Sequence, residues 1–238
     1  PDPGTEAEPI AAGRVGSITN APLEGPSLVR LVYRVAQSNQ VYCLHPSVGW
    51  LLEQFYLQPH GLLHEMKSYP EDLINAPPLA NAELVENQAF WQAAIETDVR
   101  PVLRLISQPE LPRRAFEKRL MKLGHLQTPP PAQARVLAGW YSGALNRWGV
   151  TLQINDRWSE ATPCFALALE LNPDNLPALV NLQCNSNLVA RQKMTVVRTQ
   201  VLPEQFGRYR NLNQVVTENG PFDEPSYCYH LALLFAEG

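Results

Sequence analysis

Residues 145–173 read LNRWGVTLQINDRWSEATPCFALALELNP, and this stretch decides the fold of the chain. Large apolar residues recur at the three- and four-residue spacing of one helical face, first around Trp148 and then around Phe165. Residues 155–156 supply a turn between the two stretches. Pro173 ends the second one because it cannot donate the next helical hydrogen bond. The stretch therefore predicts two consecutive helices joined by a short turn.

The pattern of large, small and helix-ending residues resembles the 34-residue tetratricopeptide (TPR) repeat, and its members are Leu145, Trp148, Gly149, Leu152, Ala161, Phe165, Ala168 and Pro173. A TPR hairpin cannot bury its apolar face alone, so it stacks on neighbours and forms a groove that usually binds a partner. Leu176 to about Val189 repeats the first-helix pattern. Residues 226–237 look like a further first helix whose second helix has been cut off. The resemblance implies a scaffold or interaction domain.

The N-terminal half predicts a small α/β module. Residues 1–25 have the composition of a linker. Beyond them we expect a helix from Ser27, a strand over 41–44, an apolar helix from Pro46 to about Pro59 and a strand over 62–66. A helical crossover would make the two strands parallel. Further helices follow, including a basic one over 113–122 that is read as a solvated amphipathic face.

The predicted fold class is mainly α, with a TPR-like helical hairpin array preceded by the small α/β module. The proline run 129–131 is the preferred boundary, which gives one unit over 26–128 and a second over 132–238. The chain opens at Pro1 and closes inside a helical pattern, so we interpret it as a fragment of a longer protein.

Composition narrows the class of partner. The 238 residues are 45% hydrophobic, and the net charge of −4 argues against nucleic acid as the main ligand. No apolar run approaches the roughly 18 residues of a membrane span. The four cysteines are scattered without zinc-ligand spacing and are read as free core thiols. No cofactor and no metal are expected.

A polar and aromatic cluster in the α/β module provides the candidate ligand residues His45, His60 and Glu65. His45 would lie at the end of the first strand, where open α/β sheets place ligands. His60 and His64 are four apart, but Pro59 and Gly61 indicate a turn rather than a helix, and no third metal ligand is evident. Structural histidines and a ligand-facing His45 both remain open.

The helical half supplies a second set of candidates, on the groove that the first helices of the array would line. These are Asn146, Asn181 and Asn185, of which the last two share a helix face. The alternative is that all three are exposed, solubilising amides. Trp158, just past the turn, is a further ligand-binding candidate because it is expected to be partly exposed. Trp148 is expected to pack in the core.

Beyond the repeat, much of residues 28–238 resembles the soluble C-terminal region of the bacterial DUF2723 membrane proteins, which are related to GT-C-type protein O-mannosyltransferases. The similar stretches are 41–47, 53–62, 87–91, the hairpin near Trp148 and Gly149, and 219–226. The resemblance implies a membrane part that acts on a lipid-linked sugar and a soluble tail on the extracytoplasmic side. The membrane part is missing here, so no catalytic residue carries over.

The expected function is therefore non-catalytic recognition or positioning of a protein or glycan acceptor, with contact to a membrane only through the missing segment of the parent. Two other functions stay open. One is a free-standing TPR adaptor that binds a peptide. The other is a small enzyme with its site at His45, together with His60 and Glu65, which predicts a pocket at the strand ends with a perturbed histidine.

Overall fold

The computed structural model describes residues 25–44, 54–70, 76–107, 130–192 and 212–224. Several predicted features lie outside these ranges. They are nearly all of the linker, His45, the first part of the apolar helix (46–53), the basic helix over 113–122, Pro129 of the proline run, and the helix over 226–237.

The described part is mainly helical, with a small antiparallel sheet of three strands. This confirms the predicted fold class at the coarse level. The strands are β1 (Tyr42–Cys43), β2 (Phe55–His60) and β3 (Leu63–Ser68). The helices are α1 (Gly25–Ala36), α2 (Asn81–Ala94), α3 (Arg100–Ser107), α4 (Ala132–Ile154), α5 (Trp158–Leu171), α6 (Leu176–Val189) and α7 (Leu212–Asn219).

The predicted parallel pairing of the strands is wrong. The strand order is β1-β3-β2, and both pairings are antiparallel. Phe55 and Tyr56, which were assigned to a helix, begin β2. A two-residue turn joins His60 to Leu63, and Gly61 occupies its first position with φ of 64°. Glycine reaches this conformation without strain, so the chain reverses at once and needs no crossover helix.

Asn87 on helix α2 binds the turn of this hairpin through hydrogen bonds. Its buried side chain accepts a hydrogen bond from the Gly61 N–H at 2.8 Å. The same amide donates to the carbonyl of Pro59 at 3.1 Å and to that of Glu83 at 2.9 Å. One amide thus satisfies both a donor and an acceptor of the turn, which sets the position of the turn against α2.

A π-helical turn over Ile95–Val99 joins α2 to α3, and the Arg100 N–H donates to the carbonyl of Ile95. Pro101 explains this turn, because it has no N–H to offer the carbonyl of Thr97 four residues earlier. The wider turn keeps the helix continuous past the proline.

The hairpin of α4 and α5 that the opening stretch predicts is present. Asp156 lies in the turn with φ of 59°, and α5 ends just before Asn172 and Pro173. A Cβ atom built on Gly149 would lie 2.5–2.9 Å from ring atoms of Phe165, so only glycine permits this approach. Asn175 then caps α6 by accepting from the Ala178 N–H at 3.0 Å.

Residues from both predicted units share one hydrophobic core. Trp91 and Val99 come from the N-terminal unit, and Leu145, Trp148 and Phe165 come from the C-terminal one. In the described part of the chain, the segments before and after the proline run therefore pack against each other in a single hydrophobic core.

Within that part, no helix combines the length and the apolar character of a membrane span. Cys164 and Cys184 are buried, and Cys43 is partly buried. Burial and the nearby Glu160 carboxylate raise the pKa of the Cys164 thiol to about 12, so this thiol stays protonated at neutral pH.

Candidate functional site

A pocket of about 220 Å³ lies between the turn of the β-hairpin and helix α4. The hairpin forms one wall, α4 forms the floor, and α2 and α7 each add one residue. Its lining residues are Leu44, Pro59, Gly61, Leu62, His64, Trp91, Leu137, Trp140, Tyr141, Gly143, Ala144, Arg147, Trp148, Thr151 and Glu218.

Helical spacing explains why α4 supplies so much of this lining. Residues 137, 140, 141, 144, 147, 148 and 151 recur at intervals of three and four, so they lie along one stripe of the helix. The adjacent stripe, with Leu145, Gly149 and Leu152, packs into the helical core. One long helix therefore contributes to the core and to the pocket with neighbouring faces.

The aromatic side chains of the pocket differ in exposure. Trp148 is 2% exposed, and its indole N–H donates to Gln88 Oε1 at 3.1 Å, which fixes the ring. Trp91 is equally buried and contacts Phe90 edge to face. Trp140 remains 54% exposed at the rim. The pocket thus has a rigid aromatic floor and one accessible indole at its edge.

Arg147 places a cation in this largely apolar pocket. Its Nη2 donates to the carbonyl of Thr217 at 3.2 Å and approaches that of Val216 at 3.5 Å, both in the last turn of α7. This is the end of a helix that favours positive charge. Burial lowers the pKa of the guanidinium to about 10, so it remains charged at neutral pH. Among the described residues, no carboxylate lies within ion-pair distance of it.

A second site lies on α4 and α6, where buried amides hold the last residue of α7 and the residues that follow it. We call residues 219–223 the strap. Asn146 Nδ2 donates to the carbonyls of Asn219 at 2.9 Å and Pro221 at 3.0 Å. Asn181 donates to the Pro221 carbonyl at 2.9 Å and accepts from the Asp223 N–H at 2.7 Å. Two of the three predicted groove asparagines therefore contact main-chain groups of the strap.

These amides are not the exposed, solubilising groups that were the alternative. Asn146, Asn181 and Asn185 are all fully buried. Asn185 lies apart from the strap, because its amide donates to the carbonyl of Trp158 at 2.9 Å and to Thr162 Oγ1 at 2.8 Å. Its contacts join α6 to the start of α5. Trp158 is partly buried there, as expected, and lies outside the residues that line the pocket.

The strands separate the histidines that the sequence grouped together. His64 pairs with Pro59 and His60 pairs with Leu63, so side-chain alternation sends the two imidazoles to opposite faces of the sheet. His64 lines the pocket, whereas His60 lies on the other face with its ring 5.5 Å from that of Tyr42.

Glu65 lies on the same face of the sheet as His60 and is 3.4 Å from the Lys67 ammonium. The enzyme hypothesis needed His60 and Glu65 in the pocket, and neither side chain lines it. In the part of the chain that the structure describes, no group of three or more His, Cys, Asp or Glu side chains could hold a metal ion.

Asp223 gives the strap a pH dependence. Its carboxylate accepts from Gln153 Nε2 at 2.8 Å, and that same nitrogen donates to the Asp223 carbonyl at 2.9 Å. Burial raises the pKa of Asp223 above its ordinary 3.8, although the hydrogen bond from Gln153 opposes this shift. The folded chain therefore binds this proton more tightly than the unfolded chain does.

We expect this carboxyl to lower the free energy of unfolding as the pH rises from about 3.8 through the raised folded pKa. The substitution Asp223→Asn removes the titration and keeps an oxygen for Gln153. Its free energy of unfolding should exceed that of the wild type at pH 7, and the difference should shrink towards pH 4. Urea unfolding followed by tryptophan fluorescence at several pH values measures this, and a difference that is constant with pH would contradict it.

Comparisons with known proteins leave the family open. No protein-family model, no curated protein and no solved structure gives a match to this chain. The resemblance to DUF2723 proteins therefore stays a prediction, and the function has to be argued from the pocket and the strap.

Proposed function

We propose that this chain is a non-catalytic recognition domain, and that its aromatic pocket holds one ring of a glycan acceptor. The observation that carries the proposal is the pocket between the β-hairpin and α4, where Trp140 and Tyr141 lie beside Arg147 and Glu218. Concave sites with apolar walls and a few placed polar groups are the usual form of small-molecule sites.

The size and chemistry of the pocket favour a single sugar ring. Its 220 Å³ is below the roughly 300–1,000 Å³ of sites for drug-sized ligands, so one ring fits and an extended ligand does not. The C–H face of a sugar packs on an aromatic ring, whose face carries negative charge. Arg147 offers donors and Glu218 offers acceptors, and this combination suits neighbouring hydroxyl groups on a neutral ring.

The contacts of the lining residues favour binding over bond making. Arg147 is held by carbonyls of α7, and the Thr151 hydroxyl donates to the Arg147 carbonyl at 3.0 Å. The Trp148 indole N–H donates a hydrogen bond to Gln88 Oε1. Groups that are fixed in this way present a shaped surface, which is what recognition requires.

The wider role extends this binding function to a larger protein. We propose that the helices form a TPR-like scaffold that positions an acceptor beside a membrane-embedded glycosyltransferase, on the extracytoplasmic side. The support is the repeat pattern around Trp148 and the resemblance to DUF2723 proteins. The membrane would be reached only through a segment of the parent protein that is not in this chain.

Trp140→Ala tests the pocket. The indole is 54% exposed, so its removal should change the free energy of unfolding by less than about 1 kcal/mol. We expect it to weaken glycan binding at least tenfold, because the accessible stacking surface is lost. Isothermal titration calorimetry with a panel of methyl glycosides and short oligosaccharides measures the affinity.

Val136→Ala is the matched control, since Val136 is 63% exposed on the same helix and does not line the pocket. It should leave the affinity unchanged. If none of the glycans binds the wild-type chain, or if one binds equally well to Trp140→Ala, glycan recognition in this pocket is wrong.

A further inference from the structure

We infer that Asn219, the last residue of α7, is a deamidation site whose reaction is controlled by the strap. Asn219 and Gly220 form the only Asn-Gly pair in the sequence. The pair is protected while the strap lies on α4 and α6, and it reacts once the strap has left them. The product does not fit the same place. The inference goes beyond glycan recognition and does not depend on it.

The reaction needs only the chain and water. The main-chain nitrogen of Gly220 loses its proton to the solvent and attacks Cγ of Asn219. A bond forms between these two atoms, the Cγ–Nδ2 bond breaks, and Nδ2 takes up a proton and leaves as ammonia. Water then opens the five-membered imide ring. Attack at Cγ leaves aspartate, and attack at the main-chain carbonyl carbon leaves isoaspartate. Glycine favours ring closure because it has no Cβ atom to shield the nitrogen.

The side chain of Asn219 is held away from this geometry. It is 1% exposed, its Nδ2 donates to the Val215 carbonyl at 3.1 Å, and its Oδ1 accepts from Asn172 Nδ2 at 3.2 Å. The contact to Val215 directs the amide towards the preceding turn of α7, whereas ring closure requires Cγ to approach the next residue. Both hydrogen bonds must therefore break before the reaction.

The attacking nitrogen is held as well. The Gly220 N–H donates to the Val216 carbonyl at 2.9 Å, which opposes the loss of its proton. Gly220 is buried, so a base in the solvent does not reach it. The Asn219 carbonyl accepts from Asn146 at 2.9 Å and from Asn175 at 3.1 Å, which fixes the peptide group between the two residues. The bound strap thus protects both the nitrogen and the carbon that it would attack.

Neither product keeps these contacts. Aspartate loses the side-chain donor and places a negative charge among buried groups, which is costly. Isoaspartate runs the main chain through its own Cβ and Cγ and so adds one carbon to it. The groups of Pro221 and Asp223 that Asn181 binds then shift. Deamidation therefore makes a reversible opening of the strap permanent. Because the last turn of α7 also holds Arg147, the change extends to the wall of the pocket.

The test measures deamidation of the whole chain at mildly alkaline pH, in buffer and in concentrated urea. Digestion with pepsin in acid stops the reaction, and liquid chromatography with mass spectrometry separates the asparagine, aspartate and isoaspartate peptides. We expect Asn219 in the folded wild type to react at least a hundredfold more slowly than in urea. Asn181→Leu removes two contacts to the strap and should raise the rate in buffer at least tenfold.

Two controls separate opening of the strap from other effects. Gln183→Leu changes an exposed residue of the same helix and should leave the rate at the wild-type value. Asn185, which precedes a serine inside α6, should stay unmodified in the folded Asn181→Leu chain. Reaction at Asn185 in proportion to that at Asn219 would mean that the whole chain unfolds, and this would overturn control by the strap.

The remaining outcomes are equally definite. Circular dichroism shows whether Asn181→Leu is folded, and the wild type in buffer and in urea decides if it is not. Equal rates in buffer and in urea, or a folded Asn181→Leu chain that reacts no faster than the wild type, would overturn the inference. Asn219→Asp tests the product, and its Asp223 amide should exchange hydrogen at least tenfold faster than in the wild type. An unchanged exchange rate would contradict a permanent opening.

Discussion

Phe165→Ala is expected to lower the free energy of unfolding by about 3–5 kcal/mol, the range for truncating a buried aromatic residue. Phe165 is fully buried between α4 and α5, and its ring lies against Gly149. Gly149 has no side chain that could fill the cavity from that side. Urea unfolding followed by circular dichroism measures the loss, and a loss below about 1 kcal/mol would show that the two helices can close the gap.

Gly149→Ala tests the same contact from the other side. The added methyl group would meet the Phe165 ring at 2.5–2.9 Å, and overpacking of this kind costs about 1–3 kcal/mol. Alanine also gains about 1 kcal/mol in helix propensity, so the net effect is smaller than the clash. In a Phe165→Leu background the clash is relieved, and Gly149→Ala should cost less there. Equal losses in both backgrounds would rule out the ring contact as the cause.

The helical hairpin could be predicted because its signals are local. The apolar spacing around Trp148 and Phe165, the turn at residues 155–156 and the stop at Pro173 each act within a few residues of the chain. The structure places α4, α5 and α6 within two or three residues of the expected bounds. Where local backbone preferences determine the structure, the local sequence was enough to predict it.

The sheet could not be predicted in the same way. A short apolar run such as the one that includes Phe55 fits a strand or a buried helix equally well. Pro59 was read as the end of a helix, yet it lies inside β2, which is an edge strand of the sheet. Edge strands tolerate proline, because one side of the strand has no partner that needs its N–H. Hydrogen bonding to β3 makes this run a strand. Such pairing depends on another segment of the chain and cannot be read from the run alone.

The pocket and the strap depend on contacts across even longer distances in the sequence. The stripe of α4 that includes Trp140 and Arg147 is visible as helical spacing. That it lines a pocket depends on a β-hairpin some 80 residues earlier in the chain. Asn146 and Asn181 lie on α4 and α6. Their partner, the main chain of Pro221 and Asp223, is 40 to 75 residues away and carries no local signal.

Asn181→Leu is the second large effect, with an expected loss of about 2–4 kcal/mol in the free energy of unfolding. Asn181 is fully buried and makes three contacts, with Asn146, Pro221 and Asp223. Leucine has nearly the same size but makes none of them, so buried donors and acceptors on the strap lose their partners. Gln183→Leu is the control on the same helix, and its exposed position should keep the change within about 0.5 kcal/mol.

Hydrogen exchange in the Asn181→Leu variant shows which part of the chain this side chain stabilises. The Asp223 N–H is held by Asn181 Oδ1 at 2.7 Å, so its hydrogen exchange should accelerate by more than the exchange of amides in the middle of α5. Such a selective increase would mean that the strap opens while the helical hairpin stays folded. Equal acceleration throughout would mean that the strap and the hairpin unfold as one unit, and an unchanged Asp223 amide would mean that other contacts hold the strap in place.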